Sequence, residues 1–163
     1  MALSPEPNLP PPAEITTDLS RIDLDRVHQW LSRKSYWAGE MPRTVFDRAV
    51  GGSLCFAALM NDATVGFARV ISDRATFAYL SDVFVDPAQR GRGISKAMMA
   101  AVVAHPELQN LRLWLLATTD AHGLYARHGF TALVSAQRYM ERRDAEVYAR
   151  MALRSKRPGA PNL

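Results

Sequence analysis

Apolar positions along this chain switch between two periods, and each switch marks an element. Between Asp23 and Ser32, the residues Leu24, Val27, His28 and Leu31 recur at three- and four-residue spacing, which places them on one face of a capped helix. A second helix over Pro42 to Val50 has proline in its first turn and stops at Gly51-Gly52. The pattern then becomes that of strands. Leu54 to Met60 and Thr64 to Ile71 read as a hairpin turning across Asn61-Asp62, with Gly66 as a bulge position. Thr76 to Val85 reads as the next strand, its second half rich in β-branched and aromatic residues; Asp86-Pro87 ends it by fixing a turn and removing a ladder donor. From Ile94 the helical period returns, with Ile94, Ala97, Met98, Ala101 and Val102 on one face. Further strands are expected at Ala13 to Leu19, near Thr131 to Val134 and near Arg138 to Arg142. No repeat or internal boundary breaks the span 13–143, which reads as one domain.

The junction between the fourth strand and the following helix carries the most chemistry. Asp86-Pro87-Ala88-Gln89-Arg90-Gly91-Arg92-Gly93-Ile94 places two glycines at a helix N-terminus. Glycines there let backbone N–H groups approach a ligand, and the unpaired first-turn donors with the helix dipole favour an anion. Arg90, Arg92 and Lys96 add positive charge, so the segment suits a phosphate or pyrophosphate. A dinucleotide fingerprint would need glycine at position 96, where Lys96 stands, and no nucleoside-triphosphate loop of the form G-x-x-x-x-G-K-[ST] occurs anywhere.

What remains resembles the pyrophosphate loop of the Gcn5-related N-acetyltransferase superfamily, written Q/R-x-x-G-x-G/A. Here the window reads Ala88-Gln89-Arg90-Gly91-Arg92-Gly93, with alanine at its first place and Gln89 one position later. A second segment is similar to the same family: Leu124-Tyr125-Ala126-Arg127-His128-Gly129-Phe130 matches L-Y-x-x-x-G-F. A strand Leu111 to Ala117 would precede it, Asp120 would cap its helix, and Gly129 would stop it. The family's usual asparagine before the tyrosine is Thr118 in this chain. The resemblance spans about Ile15 to Arg142. It implies an α/β fold, a mixed and mostly antiparallel sheet flanked by helices on both faces, with two strands splayed to admit acetyl-coenzyme A. Backbone groups of Val83, Phe84 and Val85, the loop residues Arg90, Gly91, Arg92, Gly93, Ile94 and Ser95, and the hydroxyl of Thr118 would hold that cofactor.

The implied reaction is transfer of an acetyl group from a thioester to the primary amine of a small molecule, by direct attack in a ternary complex. Acetylation of a protein N-terminus or lysine, and a non-catalytic module that binds coenzyme A or an acyl derivative, are the alternatives. Tyr125 would protonate the departing sulfur, since a phenol keeps its proton at neutral pH. Its ring could instead pack on the sheet and orient the cofactor. Strict alternation along the fourth strand points Tyr79, Ser81, Val83 and Val85 one way and Leu80, Asp82 and Phe84 the other. Asp82, the strand's single carboxylate, would take the amine proton or serve as a structural carboxylate bound to backbone or an arginine. Tyr79 and His122 are weaker candidates for that task. The linker holding Tyr36, Trp37 and Glu40 could wall an amine site or dock the first helices on the sheet.

Composition narrows the partners. The 163 residues carry a net charge of +4, but Arg150, Arg154, Lys156 and Arg157 lie at the C-terminal end without an acid beside them, and the remaining sixteen bases balance sixteen acids. No basic stripe interleaved with aromatics marks a nucleic-acid surface, and no apolar run reaches membrane-spanning length. A lone cysteine, Cys55, sits in an apolar strand, which fits a buried core thiol in a reducing, cytoplasmic setting. No cluster of ligands calls for a metal. Residues 1–12, with five prolines, read as a disordered leader, and 144–163 as a basic tail. Within that tail, Asp144 to Arg154 would be a helix packed on a second subunit of a homodimer, or a frayed end.

Overall fold

The computed structural model describes residues 13–155, so the proline-rich leader and the last basic residues, Lys156 and Arg157, lie outside the described residues. Five strands form one sheet in the order β1 (Glu14–Thr16), β2 (Leu54–Met60), β3 (Ala63–Ser72), β4 (Phe77–Val85) and β5 (Leu113–Leu115). The first four are antiparallel neighbours, and β5 runs parallel to β4. Helices α1 (Leu24–Lys34) and α2 (Arg43–Gly51) cover one face; α3 (Ile94–Ala104) and α4 (His122–Ala126) cover the other.

Local chemistry explains the boundaries. Asp23 caps α1 through a hydrogen bond from the Arg26 N–H, while Pro42 precedes α2. Asn61 and Asp62 both have positive φ, +48° and +60°, the geometry that matches a two-residue turn to strand twist. The expected Gly66 irregularity is real: Ala58 faces Gly66 and Leu59 faces Thr64, leaving Val65 as the extra residue. Gly66 itself faces α3. A Cβ there would stand 3.1 Å from the Met98 sulfur and 3.2 Å from Ile94 Cγ2, so the glycine lets α3 lie close on the sheet.

Two apolar layers sandwich the sheet. Val27, Trp30, Leu31, Phe46, Cys55, Phe67 and Phe84 fill the α1/α2 side, and Phe56, Val70, Leu80, Met99, Val102 and Tyr125 the other. Cys55 is buried, and burial pushes its thiol pKa up to about 11.

Three expectations need correction. The first strand is only three residues long, and Leu19–Arg21 forms a 3-10 turn capped by Asp18. The strands expected near Thr131–Val134 and Arg138–Arg142 are not strands: Leu133, Val134 and Met140 are 46, 95 and 99% exposed. β-forming composition there lacks the neighbouring backbone and the buried face that a strand requires. Finally, Leu80 and Phe84 lie on opposite faces of the sheet, because β4 carries a bulge between them. The helix expected over 144–154 forms as α5 (Val147–Ser155), and Tyr148 rests against the α1/α2 core of its own chain.

Candidate active site

The glycine loop is built as an anion cradle. Gly91 and Gly93 have φ of +78° and +76°, and nothing lies within 4 Å of where either Cβ would be, so side chains there would be strained and would fill open space. Gly93 is the N-cap of α3 and offers no side chain; the first backbone bond back to it is Ala97 N–H to Gly93 O, 3.0 Å. The N–H groups of Ile94, Ser95 and Lys96 are therefore free of intrahelical partners at the positive end of an 11-residue helix. The Ile94 side chain is buried in the core, so this residue contributes only its amide. Arg92 and Lys96 are exposed beside the row of donors. Arg90 folds back, its Nε donating to Val85 O at 3.3 Å and its guanidinium lying 5.8 Å from the Phe84 ring.

Below the loop, Asp86 accepts from the Ala88 N–H and from Arg26 at 2.8 Å. Burial works to raise its pKa, but those two bonds together with the charges of Arg26 and Lys34 outweigh it, and the net shift is downward. Gln89, displaced by one place from the family pattern, turns its Oε1 inward, where it has no donor among the described residues.

The strand before the loop splits from its neighbour. β4 and β5 pair only at Phe77–Leu113, Ala78–Trp114 and Tyr79–Leu115, while β4 continues six residues further. From Leu80 on, the β5-facing edge of β4 carries no strand partner among the described residues. Within this free half the register to β3 slips: Arg69 faces Ser81, yet Phe67 faces Phe84. Asp82 adopts a left-handed backbone, φ +54°, at the slip. The bulge turns Val83 and Val85 toward α3 and sends Phe84 to the other face, where it stacks on Trp30 at 5.3 Å. Val83, Phe84 and Val85 thus bring backbone groups, rather than polar side chains, to the opening.

Asp82 is 6% exposed, and both carboxylate oxygens are taken. Arg69 Nε donates to Oδ2 at 2.7 Å and Trp37 Nε1 to Oδ1 at 3.1 Å. Of the two roles open to this carboxylate, the arginine-bound one is what the structure contains. Arg69 also donates to Ser53 Oγ at 3.0 Å. Sequence reasoning missed Arg69, although a single arginine inside the apolar run Val65–Ile71 was a signal that an acid waits on the next strand.

Tyr125 closes the far side. Its ring packs with Phe130 in the core, and its hydroxyl makes no hydrogen bond among the described residues. Burial, then the nearby Tyr36 and Asp120, push its pKa up to about 12. Gly129 ends the segment with φ +86°. The expected Asp120 cap is absent: Ala121 is the N-cap of α4, and the Thr118 hydroxyl accepts from the Ala121 N–H at 3.0 Å. Thr118 therefore braces this turn and keeps its O–H and a second lone pair to offer a ligand. His122 is exposed and Tyr79 half-buried, and neither has a hydrogen-bonded side chain among the described residues. Tyr36, in the α1–α2 loop, accepts a hydrogen bond from Thr119 in the β5–α4 loop at 2.8 Å, a contact across 83 residues. Tyr36 and Trp37 stand edge to face at 4.9 Å.

Residues 25–143 match the acetyltransferase (GNAT) domain. The chain belongs to the GNAT family of acetyltransferases. A GNAT-family protein from Xanthomonas campestris pv. campestris, assigned as an acetyltransferase, is 52% identical; the match covers 85% of this chain and 98% of that one, with a TM-score of 0.83. A Gibberella zeae protein named for acetyltransferase activity is 27% identical over 136 residues, 70% of this chain and 76% of its own. The fold also matches a Deinococcus radiodurans structure at TM-score 0.62, with 20% identity and 87% and 93% of the two chains covered. The sheet with its parallel fifth strand, the helices on both faces and the open glycine loop are thus those of a GNAT enzyme. Among the described residues no group of His, Cys, Asp or Glu could hold a metal ion, and no helix is long and apolar enough to cross a membrane.

Proposed function

We propose that this GNAT enzyme takes its acetyl group from acetyl-coenzyme A and transfers it to the primary amine of a small molecule, in a ternary complex. The observation that carries the reading is the adjacency of two features: the free amide row at the start of α3 and the unpaired edge of β4 that leads into it. The residues present fit the cofactor. The amides of Gly91 to Lys96, with Arg92 and Lys96, would take a pyrophosphate, and the free edge of Val83 to Val85 would hydrogen-bond an amide-bearing arm. Acetyl-coenzyme A supplies the acetyl group activated as a thioester.

Tyr125 holds its proton at every pH below about 12 and its hydroxyl has no competing partner, which suits it to protonate the sulfur that leaves as the carbon–sulfur bond breaks. A backbone N–H of Val83 to Val85 polarises the carbonyl under attack. Asp82 is not assigned as base, because it is buried and bound to Arg69 and Trp37; the amine proton passes to solvent once the new carbon–nitrogen bond has formed. The Tyr36–Thr119 contact links the α1–α2 loop to the β5–α4 loop, and a link of that kind favours a small acceptor over a polypeptide.

Calorimetric titration with acetyl-coenzyme A, beside the Gly91→Val/Gly93→Val variant, tests this. Micromolar binding by the wild type and none by the variant is expected, followed by thiol release with a small amine. Release with peptide amines alone would move the acceptor to protein, and binding without release to any amine would make the protein a coenzyme A sensor.

A further inference from the structure

The hydrogen-bonded chain Trp37–Asp82–Arg69–Ser53 has no role in the chemistry above, yet it converges on the one residue of β4 with a left-handed backbone. It joins four parts of the fold: the α1–α2 loop, the β4 bulge, the middle of β3 and the turn before β2. The Arg69 and Asp82 side chains are only 11% and 4% exposed, so the carboxylate is matched in charge and held from two directions. In a bulge, the orientation of the following peptides depends on what holds the extra residue. Here that residue is Asp82, and the peptides that follow carry the N–H groups of Val83 to Val85.

We propose that Arg69 and Trp37 are positioning residues: acting through the Asp82 carboxylate, they aim the free amides of the splayed half of β4 and tie that aim to the loop carrying Tyr36. The inference rests on the acetyl-coenzyme A reading for its catalytic consequence but not for its structural one. Small displacements of groups that orient a reacting centre cost rate far more than affinity. Trp37 is the informative site, because phenylalanine keeps an aromatic ring beside Tyr36 and removes the indole N–H that reaches Asp82.

Four variants, Trp37→Phe, Arg69→Lys, Arg69→Met and Asp82→Asn, are compared at a temperature where melting curves show each folded; asparagine tolerates left-handed backbone, so the last keeps the bulge. Without any ligand, hydrogen exchange at the Asp86 amide, which donates to Val65 O at 2.9 Å just past the splayed half, should speed up in Trp37→Phe while the amides of Phe77 to Tyr79 stay unchanged. With acetyl-coenzyme A, binding should stay close to wild type and kcat for thiol release should fall about tenfold, with KM for the thioester little altered. Arg69→Lys, which keeps the charge but not the fork to Ser53, should fall less than Arg69→Met. Asp82→Asn should lower the rate by one factor across the pH range. Wild-type exchange and wild-type kcat in Trp37→Phe would overturn the proposal. So would an Asp82→Asn enzyme that loses the acid limb of the pH–rate profile while Trp37→Phe runs normally, since Asp82 would then be the base. If the wild type neither binds acetyl-coenzyme A nor releases thiol, the proposed function falls, and the exchange result alone decides the positioning.

Discussion

At Ala78 and Tyr79, β4 is paired on both sides, with Ser72 and Ile71 of β3 and with Trp114 and Leu115 of β5; from Ser81 to Val85 it is paired with β3 alone. In the first stretch, backbone ladders on two sides set the conformation and the side chains need only be apolar. In the second, one ladder is missing and the other slips, and a buried ion pair with an indole N–H stands in its place. The contrast teaches where a sheet can open: an edge is freed for a ligand only where side chains take over the task of holding the backbone.

The largest test of that contrast removes the substitute. Arg69→Met should cost about 3–5 kcal/mol, because it leaves a buried carboxylate without its counter-charge. A thermal melt should show a fall of about 10 °C for a chain of this size. The same melt on Tyr79→Phe, in the doubly bonded stretch, should move by less than about 2 °C, as expected for a change that removes no recorded hydrogen bond. Adding Asp82→Asn to Arg69→Met should recover more than half of the loss, since the orphaned charge is gone and asparagine accepts the backbone.

Next in size is Tyr125→Phe, which should lower kcat for thiol release by about 100-fold, with calorimetric affinity for acetyl-coenzyme A unchanged. Titration of the phenols by ultraviolet absorbance should show one late ionisation near 12 in the wild type that is missing in this variant. The sign follows from linkage. The folded pKa lies above the ordinary value near 10, so this group's contribution to stability is complete below about 10 and fades as pH rises toward 12. Smallest of all, Thr119→Val should change the melt by no more than about 2 °C, because the hydrogen bond to Tyr36 is exposed.

Much of this molecule was legible in its sequence because its signals were local. Asn61-Asp62 specified a turn, Ile94 to Val102 a helix face, Gly129 a stop, and the two motifs the family. The bulge was not legible, since no glycine between Tyr79 and Val85 marks an added residue. Its cause sits on other elements, in Arg69 and Trp37. The terminal strands misled for the opposite reason: Thr131 to Val134 has the right residue types, but pairing depends on a neighbour that composition does not supply. Tyr36 and Thr119 meet only because the fold brings the loops together.

The α1–α2 loop is fixed unequally at its two ends. Trp37 is anchored to a buried carboxylate, whereas Tyr36 is held by a single exposed hydroxyl pair. A bond of that kind is worth about 1 kcal/mol net, a population ratio of roughly five. With Ser35, Ala38 and Met41 buried and bonded on either side, thermal loss of that bond would free the Tyr36 side chain alone, in about one molecule in six at any moment.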